Sequence, residues 1–135
     1  MEIETKHILG VKVDFGMTIE TAADKVVELT SSKDKVHICT TNPEFIMDAQ
    51  TDPEFKAIIN NSDLSLPDGI GTLYAYKYLK YLENSDKSFS TLKNIFYGFR
   101  VVIDALVNKS SFGSRVDGVS LTYKILERAE RENLS

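Results

Sequence analysis

Residues 36–44 read VHICTTNPE and carry the most informative local pattern in the sequence. Its first half, Val36–Thr40, is a short apolar run with β-branched residues, long enough for a buried strand but too short for a helix. Asn42 then suits a helix N-cap, Pro43 suits the first helical position because its missing N–H costs nothing there, and Glu44 complements the helix dipole. The stretch therefore predicts a strand that runs straight into a helix.

The same strand-to-helix pattern recurs further along the chain. Residues 63–66 form a second short strand-like run, residues 67–71 read PDGIG, and a helical pattern follows over Leu73–Leu82. Such repeats predict an α/β, Rossmann-like layered fold with a mostly parallel sheet flanked by helices. Ligands bind such folds beyond the carboxyl ends of the strands, which is where residues 40–42 and 67–69 are expected to lie.

The remaining segments predict further elements on both sides of this pattern. A β-rich segment over His7–Phe15 indicates one or two short strands, and Thr18 caps a helical pattern that covers Ile19–Thr30. Residues 52–54 read DPE and repeat the cap, proline and acidic pattern of residues 42–44, which predicts a second short helix through Ile59. A last helix is predicted over Val119–Glu130.

Composition and charge exclude several classes of protein. The chain has 135 residues, 42% of them apolar, and a net charge of −4, which predicts a single domain over residues 1–135 without a basic footprint for nucleic acid. Cys39 is the only cysteine, so it has no partner for a disulfide or zinc site and is expected to be a buried small hydrophobe. The acidic N-terminus is unlike a signal peptide, and no apolar stretch reaches the ~20 residues of a membrane span. These features predict a cytoplasmic protein.

Three places in the sequence carry candidate chemistry, each with a structural alternative. The helix start after residues 40–42 offers hydroxyl, amide and N–H donors to an anionic or sugar ligand, and the alternative is a plain capping sequence. Asp68, on a tight turn at a strand end, suits a general base, and the alternative is an Asp-Gly turn residue. Arg115 suits a phosphate clamp, and the alternative is an ordinary surface arginine. The residues alone leave each pair of interpretations open.

The strongest helical pattern in the sequence covers Thr91–Val107. Its apolar residues recur at helical spacing, at Leu92, Ile95, Phe96, Phe99, Val102, Ile103 and Leu106. We expect this stripe to be buried in the core, at a membrane interface or in a homo-oligomer contact, since left in water it would promote aggregation.

Taken in order, these blocks resemble the bacterial WecB/TagA/CpsF glycosyltransferases, family 26. The family pattern begins with a Thr-x-Asn-Pro-Glu turn, here TTNPEF over residues 40–45, and reaches a strand closing in Pro-Asp-Gly, here LPDGIG over residues 66–71. A third block, Arg-Val-x-Gly before an apolar helix, is present as RVDGVSL over residues 115–121. The opening ILGVKVD over residues 8–14 looks like the family's first strand pair. The resemblance is continuous over residues 36–76.

The resemblance implies an activity, a donor and an acceptor. The implied reaction is inverting transfer of an N-acetylmannosamine-type sugar from a UDP donor to a polyprenyl-diphosphate-linked sugar, in the synthesis of teichoic acid or other surface polysaccharides. Such a UDP-sugar-dependent hexosyltransferase needs one carboxylate base and donors for the leaving diphosphate, so no cofactor or metal is implied. The lipid-linked acceptor implies a peripheral contact with the inner face of the cell membrane.

The resemblance also implies roles for particular residues. By the family pattern the base is Asp68, the active-site threonine is Thr40 because it stands two before Asn42, and the arginine near the diphosphate is Arg115. The remaining residues of the matched turns are implied to bind substrate, and these are Thr41, Asn42, Gly69 and Gly71.

The family pattern further implies a domain organisation. The chain corresponds to the N-terminal part of a longer glycosyltransferase, with residues 83–113 as an insertion that carries the apolar helix. The rival hypothesis is a non-catalytic binding or assembly module that keeps half of the fold. Calorimetric measurement of UDP binding separates the two.

Overall fold

The computed structural model describes residues 3–33, 35–83, 98 and 115–131. Apart from Gly98, the predicted helix over Thr91–Val107 lies outside these residues, as does nearly all of the predicted insertion. The described elements, in chain order, are β1 (Glu4–Ile8), β2 (Val11–Phe15), α1 (Ile19–Ser32), β3 (Ile38–Thr41), α2 (Pro43–Asp48), α3 (Pro53–Asn60), β4 (Leu64–Pro67), α4 (Ile70–Glu83) and α5 (Gly118–Arg131).

The first two strands form an antiparallel hairpin, with Glu4 opposite Phe15 and Ile8 opposite Val11. The turn consists of two residues with positive φ, Leu9 at 50° and Gly10 at 79°. Positive φ at both positions matches the twist of the flanking strands, so the turn closes a tight hairpin. The expectation of strands over His7–Phe15 is confirmed, and the first strand begins three residues earlier at Glu4.

The third and fourth strands pair in parallel, from Ile38 opposite Leu64 to Thr41 opposite Pro67. The helices α2 and α3 connect them, as the strand-to-helix pattern predicts. The strand β3 begins at Ile38, two residues later than predicted. The reason is a contact distant in sequence, since the His37 N–H donates to the Asp63 carboxylate at 2.9 Å before the strand ladder begins.

The α/β class is confirmed, but the expectation of one mostly parallel sheet is not met. Over the part of the chain that the structure describes, the strands form one antiparallel pair and one parallel pair in separate sheets, so a Rossmann-like layered fold is not confirmed. The two-residue turn between β1 and β2 forces those strands to run antiparallel. The connection with helices that a parallel pair requires is present between β3 and β4.

Helix starts follow the capping residues that the sequence predicts. Thr18 forms a reciprocal capping box with Thr21 at the start of α1. Asn42 Oδ1 accepts from Phe45 N at 2.8 Å, and Asp52 Oδ1 accepts from Phe55 N at 2.9 Å. Because each of these bonds spans three residues, neighbouring sequence suffices to predict them.

Apolar clusters lie on both faces of the parallel pair. Cys39 belongs to the cluster formed with the hairpin and helices α2 to α4, as a buried small side chain, and burial raises the pKa of its thiol. Leu64 and Leu66 belong to the second cluster, which also contains Val116 and Leu121. The parallel pair is therefore covered on both of its faces.

Candidate functional site

The carboxyl ends of β3 and β4 lie side by side and place Asp68 at the edge of the parallel pair. The Asp68 N–H donates to Thr41 O at 3.0 Å, which continues the ladder by one residue. The Thr72 hydroxyl donates to Asp68 O at 3.0 Å from the first turn of α4. Asp68 is thus held through both its backbone N–H and its backbone carbonyl, and its side chain remains 28% exposed.

Gly69 and Gly71 allow the segment PDGIG (residues 67–71) to pack against the segment TTNPEF (residues 40–45). Gly69 has a φ of +82°, which favours glycine, and an added Cβ there would lie 3.4 Å from Pro43 Cδ. A Cβ on Gly71 would lie only 2.7 Å from Pro43 Cγ. These glycines let the start of α4 approach the start of α2 closely.

Replacing Gly71 by alanine should lower the free energy of unfolding by about 1–3 kcal/mol, because the proline ring must move to admit the new methyl group. Urea denaturation measures the change. Gly98→Ala is the matched control, since a Cβ there meets no atom within 4 Å. The control should leave stability unchanged or raise it by up to about 1 kcal/mol. Equal unfolding free energies for the two variants would contradict the close contact.

The segment RVDGVSL (residues 115–121) reaches the carboxyl ends of β3 and β4 although it is distant in sequence. The Val116 N–H donates to Pro67 O at 3.0 Å, and Val116 itself is fully buried. Arg115 Nε lies 4.0 Å from Asp68 Oδ1, with the arginine side chain 58% exposed. A Cβ on Gly118 would lie 3.2 Å from Thr40 Oγ1, so the start of α5 faces that threonine closely. The structure therefore places Arg115 beside Asp68 and the start of α5 beside Thr40.

The start of α5 is fixed by its own cap. Asp117 Oδ1 accepts from the Ser120 N–H at 2.9 Å, and this hydrogen bond holds the pKa of the Asp117 carboxyl below its ordinary value. The α1 helix supports α5 through ion pairs of Glu20 with Lys124 at 3.0 Å and with Arg128 at 3.2 Å. The cap and these ion pairs orient the helix that follows Arg115.

Two of the residues implied to bind substrate use their side chains within the protein. The Thr41 side chain is fully buried and its hydroxyl lies 2.7 Å from Ser65 Oγ. The Asn42 side chain caps α2. Thr40 is only partly buried, which leaves part of its surface at the strand edge.

Sequence reasoning missed Asp14 and Ser65, which support the site from beneath. Asp14 is 2% exposed and Ser65 is 0% exposed. The available signal was a polar residue inside an apolar strand, since Asp14 stands between Val13 and Phe15 in a β-rich run. That pattern indicates a buried polar partner without saying which strand supplies it.

The described ranges also bear on metal and membrane sites. Within them, no group of three or more His, Cys, Asp and Glu side chains is placed to hold a metal ion. Among the helices that these residues form, none is long and apolar enough to cross a membrane.

A comparison with known protein families agrees with the first two blocks. The model of the glycosyl transferase WecG/TagA/CpsF family matches residues 6–92, well over half of the chain and inclusive of Thr40 and Asp68. The class of protein is thus a glycosyltransferase of cell-surface polysaccharide synthesis. The chain belongs to the WecG/TagA/CpsF family, which confirms the resemblance. No curated protein matches the chain. Arg115 lies beyond the matched residues and joins the site through the fold.

Proposed function

We propose that the chain carries the base-bearing part of an inverting glycosyltransferase that moves an N-acetylmannosamine-type sugar from a UDP donor to a polyprenyl-diphosphate-linked sugar. The observation that supports this proposal is that Arg115 lies beside Asp68 at the carboxyl end of β4, with Thr40 on the neighbouring strand beside the start of α5. A carboxylate next to a guanidinium matches the two demands of the reaction, which are removal of a proton and stabilisation of a leaving diphosphate.

Asp68 is the proposed general base. Its carboxylate takes the proton of the acceptor hydroxyl as that oxygen attacks the anomeric carbon. The new C–O bond forms on the face opposite the leaving group, and UDP departs with the electron pair of the old bond, so the configuration inverts. With 28% of its side chain exposed, Asp68 is accessible to an acceptor hydroxyl.

Arg115 is the proposed partner of the diphosphate. Its planar guanidinium donates in a fork that fits two phosphate oxygens, and its 58% exposure leaves donors available for a ligand. Thr40 lies beside the start of α5, where its hydroxyl and the helix dipole both favour an anionic group. This positive and polar set takes the place of a metal ion in the proposal.

The location follows from the acceptor. A lipid-linked acceptor places the enzyme in the cytoplasm, in peripheral contact with the inner face of the membrane where the lipid resides. Contact between copies of the chain through the Thr91–Val107 stripe is part of the same proposal, and that segment lies outside the described residues.

Arg115→Lys should lower transfer by about tenfold or more, because lysine keeps the charge but loses the bidentate geometry. Transfer from a UDP-linked N-acetylmannosamine donor and calorimetric titration of UDP together test the function on the full chain. Arg131→Lys is the matched control, since Arg131 is an exposed arginine of α5 that pairs with Glu127. Absence of both UDP binding and transfer in the wild type would overturn the proposal. UDP binding without transfer would favour the non-catalytic module.

A further inference from the structure

A network of buried polar groups connects the β1–β2 hairpin to the carboxyl end of β4, next to Asp68. It starts at Asp14 on β2, whose Oδ1 accepts from Thr5 Oγ1 at 2.6 Å and whose Oδ2 accepts from the Ser65 N–H at 2.9 Å. Lys12 Nζ lies 3.5 Å from Asp14 Oδ2 and also donates to Ser62 O at 2.9 Å. Asp14 is thus a buried carboxylate with hydrogen bonds to both of its oxygens.

The direction of the next hydrogen bond follows from counting hydrogens. Ser65 Oγ donates its single hydrogen to Lys12 O at 2.6 Å. The 2.7 Å contact between Ser65 Oγ and Thr41 Oγ1 must then be donated by Thr41. Thr41 therefore donates to Ser65, and Ser65 donates to Lys12 O. Both hydroxyl hydrogens are used in bonds inside the protein.

Thr41 is the residue through which this hydrogen-bond network contacts the candidate site. Its carbonyl accepts from the Asp68 N–H at 3.0 Å, and the Thr72 hydroxyl, whose hydrogen is directed to Asp68 O, lies 3.4 Å from the same carbonyl. The residue that holds the Asp68 backbone is therefore itself held by Ser65. A shift of Thr41 would move the attachment point of the Asp68 turn.

The groups that connect β2 to β4 are polar, although apolar side chains can also pack between two such strands. The strands β2 and β4 pack together but belong to different sheets, and the bonds of Lys12 and Asp14 to Ser65 link them. A buried polar set adds little net stability over apolar packing, but it accepts only one alignment of its donors and acceptors. A slip by one residue would turn every side chain of a strand to the opposite face. The network therefore fixes the register of β4 against the hairpin.

We propose that Asp14, Ser65 and Thr41 are positioning residues for the transfer reaction, a buried polar relay from the hairpin that sets the place of the Asp68 turn. This inference rests on the proposed role of Asp68 as the base. It assigns Thr41 to the support of the site, with its side chain directed away from substrate.

Ser65→Ala tests the relay, and Ser62→Ala is its matched control. Each substitution deletes a buried serine hydroxyl that donates to a backbone carbonyl, for Ser62 that of Ile59 at 2.7 Å. Both variants should lower the melting temperature. Only Ser65→Ala should lower kcat, by about 10- to 100-fold, with the KM for the UDP-sugar within about twofold of wild type, since a small displacement of a catalytic group has effects of this size.

A second measurement reports on the relay without any activity. Exchange of the Asp68 amide hydrogen, which is bonded to Thr41 O, should be about tenfold faster in Ser65→Ala and unchanged in Ser62→Ala. One outcome is faster Asp68 amide exchange in Ser65→Ala while the wild-type protein neither binds UDP nor transfers sugar. That outcome would overturn the proposed function and the catalytic role of the relay. It would leave intact the structural connection from Ser65 through Thr41 to Asp68. Equal kcat and equal exchange in the two serine variants of an active enzyme would overturn the relay alone.

Thr41→Val provides a variant that retains the fold if Ser65→Ala does not. Valine fills nearly the volume of threonine and suits a strand, but it removes the donor to Ser65 Oγ. The same loss in kcat and the same faster Asp68 exchange are expected, with KM unchanged. A rise in KM with kcat unchanged would show that Thr41 contacts substrate and would overturn its assignment as a positioning residue.

Discussion

Replacing Asp68 by asparagine should lower the rate of sugar transfer by about 10²- to 10⁴-fold, the usual contribution of a general base. Asparagine keeps the shape of the side chain but cannot take the proton of the acceptor hydroxyl. The bonds that place the turn are made by the backbone of Asp68, through its N–H to Thr41 O and its carbonyl to Thr72 Oγ1, so they persist in the variant. UDP affinity and melting temperature should therefore stay close to those of the wild type.

The control for this substitution is Asp48→Asn, which removes an exposed carboxylate at the end of α2. It should leave transfer unchanged. A turnover of Asp68→Asn within about threefold of wild type would show that another group is the base. A large loss of stability in Asp68→Asn with no specific loss of turnover would instead assign Asp68 to the structure of its turn.

The local parts of the fold were predictable because their causes are local. Thr18, Asn42 and Asp52 each bond to a residue three positions ahead, so a short window of sequence contains both partners. The start of β3 was placed two residues early because His37 looks like a strand residue by itself. Its N–H is taken by Asp63, which is 26 positions away.

The location of Thr40 and Asp68 at the strand ends was predictable from the sequence, but the hydrogen-bond network beneath them was not. The rule that sites lie at carboxyl strand ends, together with the resemblance, placed Thr40 and Asp68 at one edge. The network beneath them depends on β2 packing beside β4, and the 51 positions between Asp14 and Ser65 make that pairing invisible in a local pattern. The antiparallel pair that departs from the expected mostly parallel sheet has a local cause in its two-residue turn, whereas the packing of β2 against β4 without a shared sheet is non-local.

Replacing Leu66 by alanine should lower the free energy of unfolding by about 2–5 kcal/mol. Leu66 is 0% exposed and packs in the cluster that contains Val116 and Leu121, so the substitution leaves a cavity between β4 and the third block. The loss combines the transfer free energy of the deleted atoms with the cost of that cavity, and it is a large part of the about 5–15 kcal/mol that holds a typical domain.

Leu126→Ala on α5 is the matched control, because it deletes the same atoms from a side chain that is 60% exposed. Its effect should stay within about 0.5 kcal/mol, as for other surface substitutions. Denaturant titrations measure the free energy of unfolding of both variants, and the comparison requires that this free energy depend on denaturant concentration with the same slope in each. A loss below about 1 kcal/mol for Leu66→Ala would show that Leu66 is less well packed than its burial indicates. Because Val116 shares this cluster with Leu66 and donates its N–H to Pro67 O, we expect the cavity also to loosen the segment that presents Arg115 to Asp68.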